Sequence, residues 1–73
     1  MIKAGTKCRV LADSMNYFKP GDIVVALEDD DFPYCCLIEN YDPNKNIGDY
    51  GSNLFRSLCY FELEALDDDW TEE

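Results

Sequence analysis

The run Ile23-Val24-Val25-Ala26-Leu27 constrains the fold of this chain more than any other segment, because it is apolar, β-branched and fenced on both sides. Before it stands Lys19-Pro20-Gly21-Asp22, where proline presets a turn and glycine supplies a positive φ. After it come Glu28-Asp29-Asp30-Asp31 and then Pro33. A run so short and so bounded predicts a strand, with Ile23, Val25 and Leu27 as its inward set. Lys7-Cys8-Arg9-Val10-Leu11 alternates polar and apolar residues and predicts a half-buried strand ahead of it, with Cys8 and Val10 on the inner face. Tyr34-Cys35-Cys36-Leu37-Ile38-Glu39 predicts a third strand, antiparallel to the second across a short acidic hairpin.

Residues 40–53 are rich in asparagine and contain Pro43, Gly48 and Gly51, so they predict a connection longer than a compact domain usually has, of the kind that is often functional or mobile. Leu54-Phe55-Arg56-Ser57-Leu58 predicts a fourth strand, and residues 59–66 a tight turn followed by a last short strand. A helix over residues 55–66 is the alternative, since Phe55, Leu58, Cys59, Phe61, Leu63 and Leu66 fit a helical period in part. About five short strands in so small a chain predict an all-β fold, a small barrel, because closing the sheet removes exposed edges. The chain reads as a single domain over residues 1–66 with an acidic tail over residues 67–73.

Charge bounds the function. Sixteen Asp and Glu oppose six Lys and Arg with no His, giving a formal net charge of -10. The acids are clustered in the Glu28 to Asp31 block and in the last twelve residues, which hold seven acids and no base. Such a field attracts cationic surfaces and repels nucleic acid. An apolar content of 47%, with five Tyr, four Phe and one Trp, nevertheless predicts a folded domain rather than a disordered acidic segment. No run approaches the length of a membrane span, and Met1-Ile2-Lys3-Ala4-Gly5 lacks the apolar core of a signal peptide, so the expected location is the cytoplasm.

Cys8, Cys35, Cys36 and Cys59 have neither C-x2-C spacing nor a histidine for company, which argues against zinc, and in a cytoplasmic protein they are expected to be reduced core residues. Adjacent Cys35 and Cys36 on a strand point to opposite faces, so at most one of them is expected in the core. An enzyme is not expected: there is no His, the carboxylates sit in solvated clusters, and a negative field raises thiol pKa. No phosphate-cradling glycine motif is present. Asp42-Pro43-Asn44-Lys45-Asn46-Ile47-Gly48 begins like a calcium loop, but its glycine falls one place late and Asn53 stands where the closing glutamate belongs. No metal or cofactor is therefore assigned.

Gly5-Thr6-Lys7-Cys8-Arg9-Val10-Leu11, Phe18-Lys19-Pro20-Gly21-Asp22-Ile23-Val24, Leu27-Glu28-Asp29-Asp30-Asp31 and Phe61-Glu62-Leu63-Glu64 together resemble small SH3-like barrel proteins encoded by bacteriophages and prophages of Gram-positive bacteria. The resemblance spans residues 5–66. It implies the barrel fold, in which the Lys-Pro-Gly-Asp turn feeds the second strand, and a phage origin. It assigns no activity. The asparagine-rich stretch and the acidic tail depart from the pattern.

Two binding functions follow from the aromatics and the acids. In the first, the acids imitate the phosphates of DNA. Glu62 and Glu64 project the same way about 6.6 Å apart on an extended strand. Glu28, Asp29, Asp30 and Asp31, with Asp67, Asp68 and Asp69, extend the negative surface. The partner is then a host protein with a basic DNA-binding surface, and phages are known to disable host DNA-handling machinery with small acidic proteins. Gly51-Ser52-Asn53-Leu54-Phe55 weakly resembles the bacterial sliding-clamp-binding peptide through its Leu-Phe pair, although the leading glutamine is missing. In the second function, exposed Tyr17, Tyr34, Tyr50 and Trp70 make an SH3-like adaptor that binds a peptide or protein without mimicry. Direct nucleic-acid and membrane binding are not expected; a homodimer is compatible with either function.

Overall fold

The computed structural model describes residues 2–56 and 58–66. Four strands, β1 (Lys7–Val10), β2 (Ile23–Ala26), β3 (Cys35–Leu37) and β4 (Leu63–Ala65), form one antiparallel sheet in the order β3-β2-β1-β4. The all-β class is as the sequence predicts. The sheet is open among the described residues, not the closed five-stranded barrel expected. The predicted tail, with Asp67, Asp68, Asp69 and Trp70, lies outside the described residues.

β1 and β2 pair with Cys8 opposite Val24, which places Cys8, Val10, Val24 and Ala26 on one face. Phe18, Cys35, Leu58 and Leu63 complete that core, and Phe55 packs against it. The inner set of β2 is thus Val24 and Ala26, the opposite parity from the expected Ile23, Val25 and Leu27. The reason is that β2 is buried on both faces at its centre: Val25, paired with Cys36, is as inaccessible as Val24. An all-apolar run carries no alternation from which to read its phase. Cys35 and Cys36 do take opposite faces, yet both are fully buried, so the expectation that only one is in the core fails.

The turn into β2 follows its sequence. The Asp22 amide donates to the Lys19 carbonyl at 3.0 Å, the Asp22 carboxylate accepts from the Lys19 amide at 2.9 Å, and Gly21 sits at φ 97°. That φ is what a proline-glycine turn of this type requires of its third residue.

Among the described residues the predicted fourth strand is reduced to one bridge. Phe55 exchanges both backbone hydrogen bonds with Cys35, at 2.8 and 3.0 Å. Arg56 then leaves the ladder, its Nε donating to the Phe32 carbonyl at 2.9 Å. Among the described residues of 55–66 the helical alternative is absent too: a 3₁₀ turn, Tyr60–Glu62, leads straight into β4, in line with the expected turn and short strand. Residues 40–53 form the long predicted connection, folded as successive 3₁₀ turns.

All four cysteines carry free thiols. Burial pushes the Cys8 thiol up to about 11 and the Cys35 thiol up to about 12. Below the ordinary value of 9.0 each is neutral whether folded or not. Above it the unfolded chain releases these protons first, so their contribution to stability declines as pH rises through that window. Urea midpoints are therefore expected to fall between pH 9.0 and about 11, and Cys35→Ala to fall less steeply. Equal slopes for the two proteins would remove the thiol from the explanation.

Candidate functional site

The acids predicted to form a partner surface turn out to hold the connections together. Asp29 accepts from the Ala4 amide at 2.8 Å and lies 3.9 Å from the Lys3 ammonium. Asp30 accepts from the Phe32 amide at 3.2 Å, while its backbone bridges Ile2. Glu28 accepts from the Tyr34 amide at 3.3 Å, and the Asp31 carbonyl accepts from Tyr60 at 2.8 Å. Arg56 closes this hairpin, with Nη2 at 2.9 Å from Asp30 and 3.9 Å from Glu28, and its guanidinium stacked 4.8 Å from the centre of the Tyr34 ring. A planar guanidinium is suited to serving a carboxylate, a carbonyl and an aromatic face together.

The other acids repeat the theme. Asp42 accepts from the Asn44 amide, Asp49 from Asn46, and Glu62 from Cys59, each within 2.9–3.1 Å. Asp13, outside the acidic clusters, is buried and accepts from both the Met15 and Phe18 amides, at 2.9 and 2.8 Å. Its signal was present: Asp13 followed by Ser14 and Asn16 is a side-chain-capped turn, and Asn16 adopts φ 61°. This turn is what sends Phe18 into the core and leaves Tyr17 outside.

Glu62 and Glu64 do not share a strand face as expected. Glu62 closes the 3₁₀ turn, and Glu64 alone stands on β4, where it meets Arg9 across the pair at 2.7 Å. The predicted aromatics are also dispersed. Tyr17 is 55% exposed and stacks on Phe55 at 4.6 Å. Tyr34 is half-buried beneath Arg56. Tyr50 is buried, contrary to its expected place on a contact surface: its hydroxyl donates to the Asp42 carbonyl at 2.9 Å and fixes the 40–53 connection. Phe55 is tied to β3 and packed against the core, and the Leu54 amide bonds back to the Gly51 carbonyl, so the Leu54-Phe55 pair is not offered as an extended clamp-binding peptide.

Besides Tyr17, several other apolar side chains stand out in solvent. Leu11, Met15, Tyr60 and Phe61 are each more than half exposed. Leu11 adjoins the Tyr60–Glu62 turn through a 2.8 Å bond from its amide to the Glu62 carbonyl, and the Tyr60 and Phe61 rings meet edge to face at 5.7 Å. A cleft of about 250 Å³ lies between Gly5, Leu27, Tyr41, Pro43, Lys45 and Tyr50. Lys45 and the anchored Asp42 are the charged residues at its rim, and the Lys45 ammonium lies 5.3 Å from the centre of the Tyr50 ring. Among the described residues no three metal-ligating side chains converge, and no helix is long and apolar enough to cross a membrane.

Compared with known protein families, curated proteins and solved structures, the chain matches none.

If the carboxylates organise the connections, Asp13→Ala is expected to lower stability by about 1–3 kcal/mol, because it strands two amides, one of them in a buried bond. Asp13→Asn, which keeps an accepting oxygen, is expected to lose less. Thermal or urea unfolding of the two variants checks this, and equal losses would assign the effect to charge rather than to hydrogen bonding.

Proposed function

We propose that this chain is a non-catalytic acidic protein of phage origin that binds the basic, DNA-contacting surface of a host DNA-handling protein in the host cytoplasm. A ring-shaped sliding clamp, with its positive channel, is one example of such a target. The observation that carries this reading is the immobilisation of the negative charges. A carboxylate that accepts a backbone N–H keeps its charge while its position is fixed. A pre-ordered array of this kind loses little side-chain freedom on binding. Phosphates on a duplex are likewise regularly placed, about one charge per 1.7 Å of axis.

The described residues hold eleven of the acids and all six bases, and the other five acids fall in residues 67–73. Half of the excess negative charge therefore belongs to that short tail, which reinforces the array in any contact with a cationic partner. On this reading the sheet is a reduced SH3-like barrel. Support comes from the spatial order of its extended segments, Phe55, β3, β2, β1 and β4, and from the 3₁₀ turn that enters the last one.

A second reading, an adaptor that binds protein without mimicry, draws on the exposure of Tyr17, Tyr60 and Phe61, since aromatic anchors supply much of the energy at protein interfaces.

Affinity capture from bacterial lysate at about 50 mM and about 200 mM salt separates the two. Mimicry predicts a partner that is lost at the higher salt and displaced by duplex DNA. It also predicts weaker capture when Glu28, Asp29, Asp30 and Asp31 become Gln and Asn, changes that keep an accepting oxygen for each amide. A partner retained in salt, indifferent to DNA and to these changes would replace mimicry with the adaptor reading.

A further inference from the structure

The hydrogen-bond phase of β4 determines which of its backbone groups face away from β1. The Leu11 amide donates to the Glu62 carbonyl and the Leu66 amide to the Lys7 carbonyl, both at 2.8 Å. In the register that pairs Arg9 with Glu64, residues 62, 64 and 66 therefore turn their backbone groups toward β1. Leu63 and Ala65 turn theirs outward. The Leu63 amide is taken by the Tyr60 carbonyl at the end of the 3₁₀ turn. What remains on the outer edge is the Leu63 carbonyl together with the amide and carbonyl of Ala65, and among the described residues nothing pairs with them.

Among the described residues, this edge is guarded by its three-residue length and by Glu64. β4 contains no proline, bulge or lysine, and two exposed aromatic residues, Tyr60 and Phe61, stand directly before it, 58% and 68% accessible. The backbone groups left open on such an edge are a template for pairing with another chain. Charge selects the occupant. A second copy of the chain would bring two bodies of net charge -10 into contact, edge to edge, with Glu64 on each strand. An extended segment rich in lysine or arginine meets the opposite situation.

We propose that the outer edge of β4 is a strand-addition site for an extended cationic segment of the partner protein. One residue of that segment exchanges both backbone hydrogen bonds with Ala65, a neighbouring amide donates to the Leu63 carbonyl, and Tyr60 and Phe61 cover its apolar side chains. Backbone pairing gives the affinity and the acidic surroundings give the preference for basic side chains. The inference deepens the proposed function by naming what part of the partner is gripped, and it rests on that function only for the sign of the partner's charge.

The test uses the whole chain, isotope-labelled, with a capped Lys-Val-Lys-Thr-Lys-Val peptide and its counterpart carrying Glu for each Lys. Binding of the lysine peptide is expected to move the Ala65 amide resonance and slow its solvent exchange at least tenfold, with no such effect from the glutamate peptide. Ala65→Pro removes the outward amide without touching the bonds to β1, and is expected to abolish this binding. Phe61→Ala, at an exposed position, is expected to weaken it while leaving the spectrum of the sheet intact. Failure of the lysine peptide to bind overturns the site. So does binding that shifts the acidic residues but leaves Ala65 exchanging freely, or that persists in Ala65→Pro, and in those cases the electrostatic reading of the function survives alone. Concentration-dependent protection of Ala65 without peptide, accompanied by a dimer mass, overturns the cationic occupant in favour of a second copy.

Discussion

A carboxylate accepting a hydrogen bond from a nearby backbone amide is the interaction on which the rest of this structure depends. The strands are only three or four residues long, so most of the chain lies in connections whose N–H groups have no ladder to join. Each such donor needs an acceptor or water. Asp13, Asp22, Glu28, Asp29, Asp30, Asp42, Asp49 and Glu62 provide them. Aspartate predominates because its short side chain reaches nearby amides, two residues on from Asp13, Asp30 and Asp42 and three residues back from Asp22 and Asp49, the geometry of capped turns. Among the described residues no buried side-chain N or O is left without a partner.

The same interaction links fold to function. An acid recruited to hold a turn is also an acid held in place, so a surface built this way carries fixed negative charge as a by-product of its architecture. Arg56 shows the limit of that arrangement, since it neutralises part of the hairpin in order to secure it. In the proposed function, the exposed Tyr60 and Phe61 and the edge of β4, unpaired among the described residues, would add what charge lacks, a means of fixing orientation and register on a cationic partner.

β1 and the turn into β2 were legible because their signals are local: Cys8 and Val10 alternate with Lys7 and Arg9, and Pro20-Gly21 admits few conformations. The phase of β2 was not, since Val24 and Val25 look alike and the choice between them is made by pairing with Cys8 and Cys36 across the sheet. The fourth strand is longer in the sequence pattern than in the structure for a related reason. Its apolar residues do pack inward at Phe55 and Leu58, but Arg56 between them is drawn off to Asp30 and Phe32, a tertiary bond that periodicity does not contain. The candidate surface was read by residue type alone. Nothing in a cluster of aspartates says which of them bend back onto the backbone, and an aromatic residue in an asparagine-rich loop gives no sign that its hydroxyl will find Asp42, as that of Tyr50 does.

Native-state amide hydrogen exchange tests the account most directly, read at amides that belong to no strand but bond to a carboxylate: Ala4, Phe18, Lys19 and Tyr34. The account predicts measurable protection at each, greatest at Phe18, where the bond is buried. Exchange of these four at the rate of an unfolded chain, with protection confined to β1, β2, β3 and β4, would contradict it.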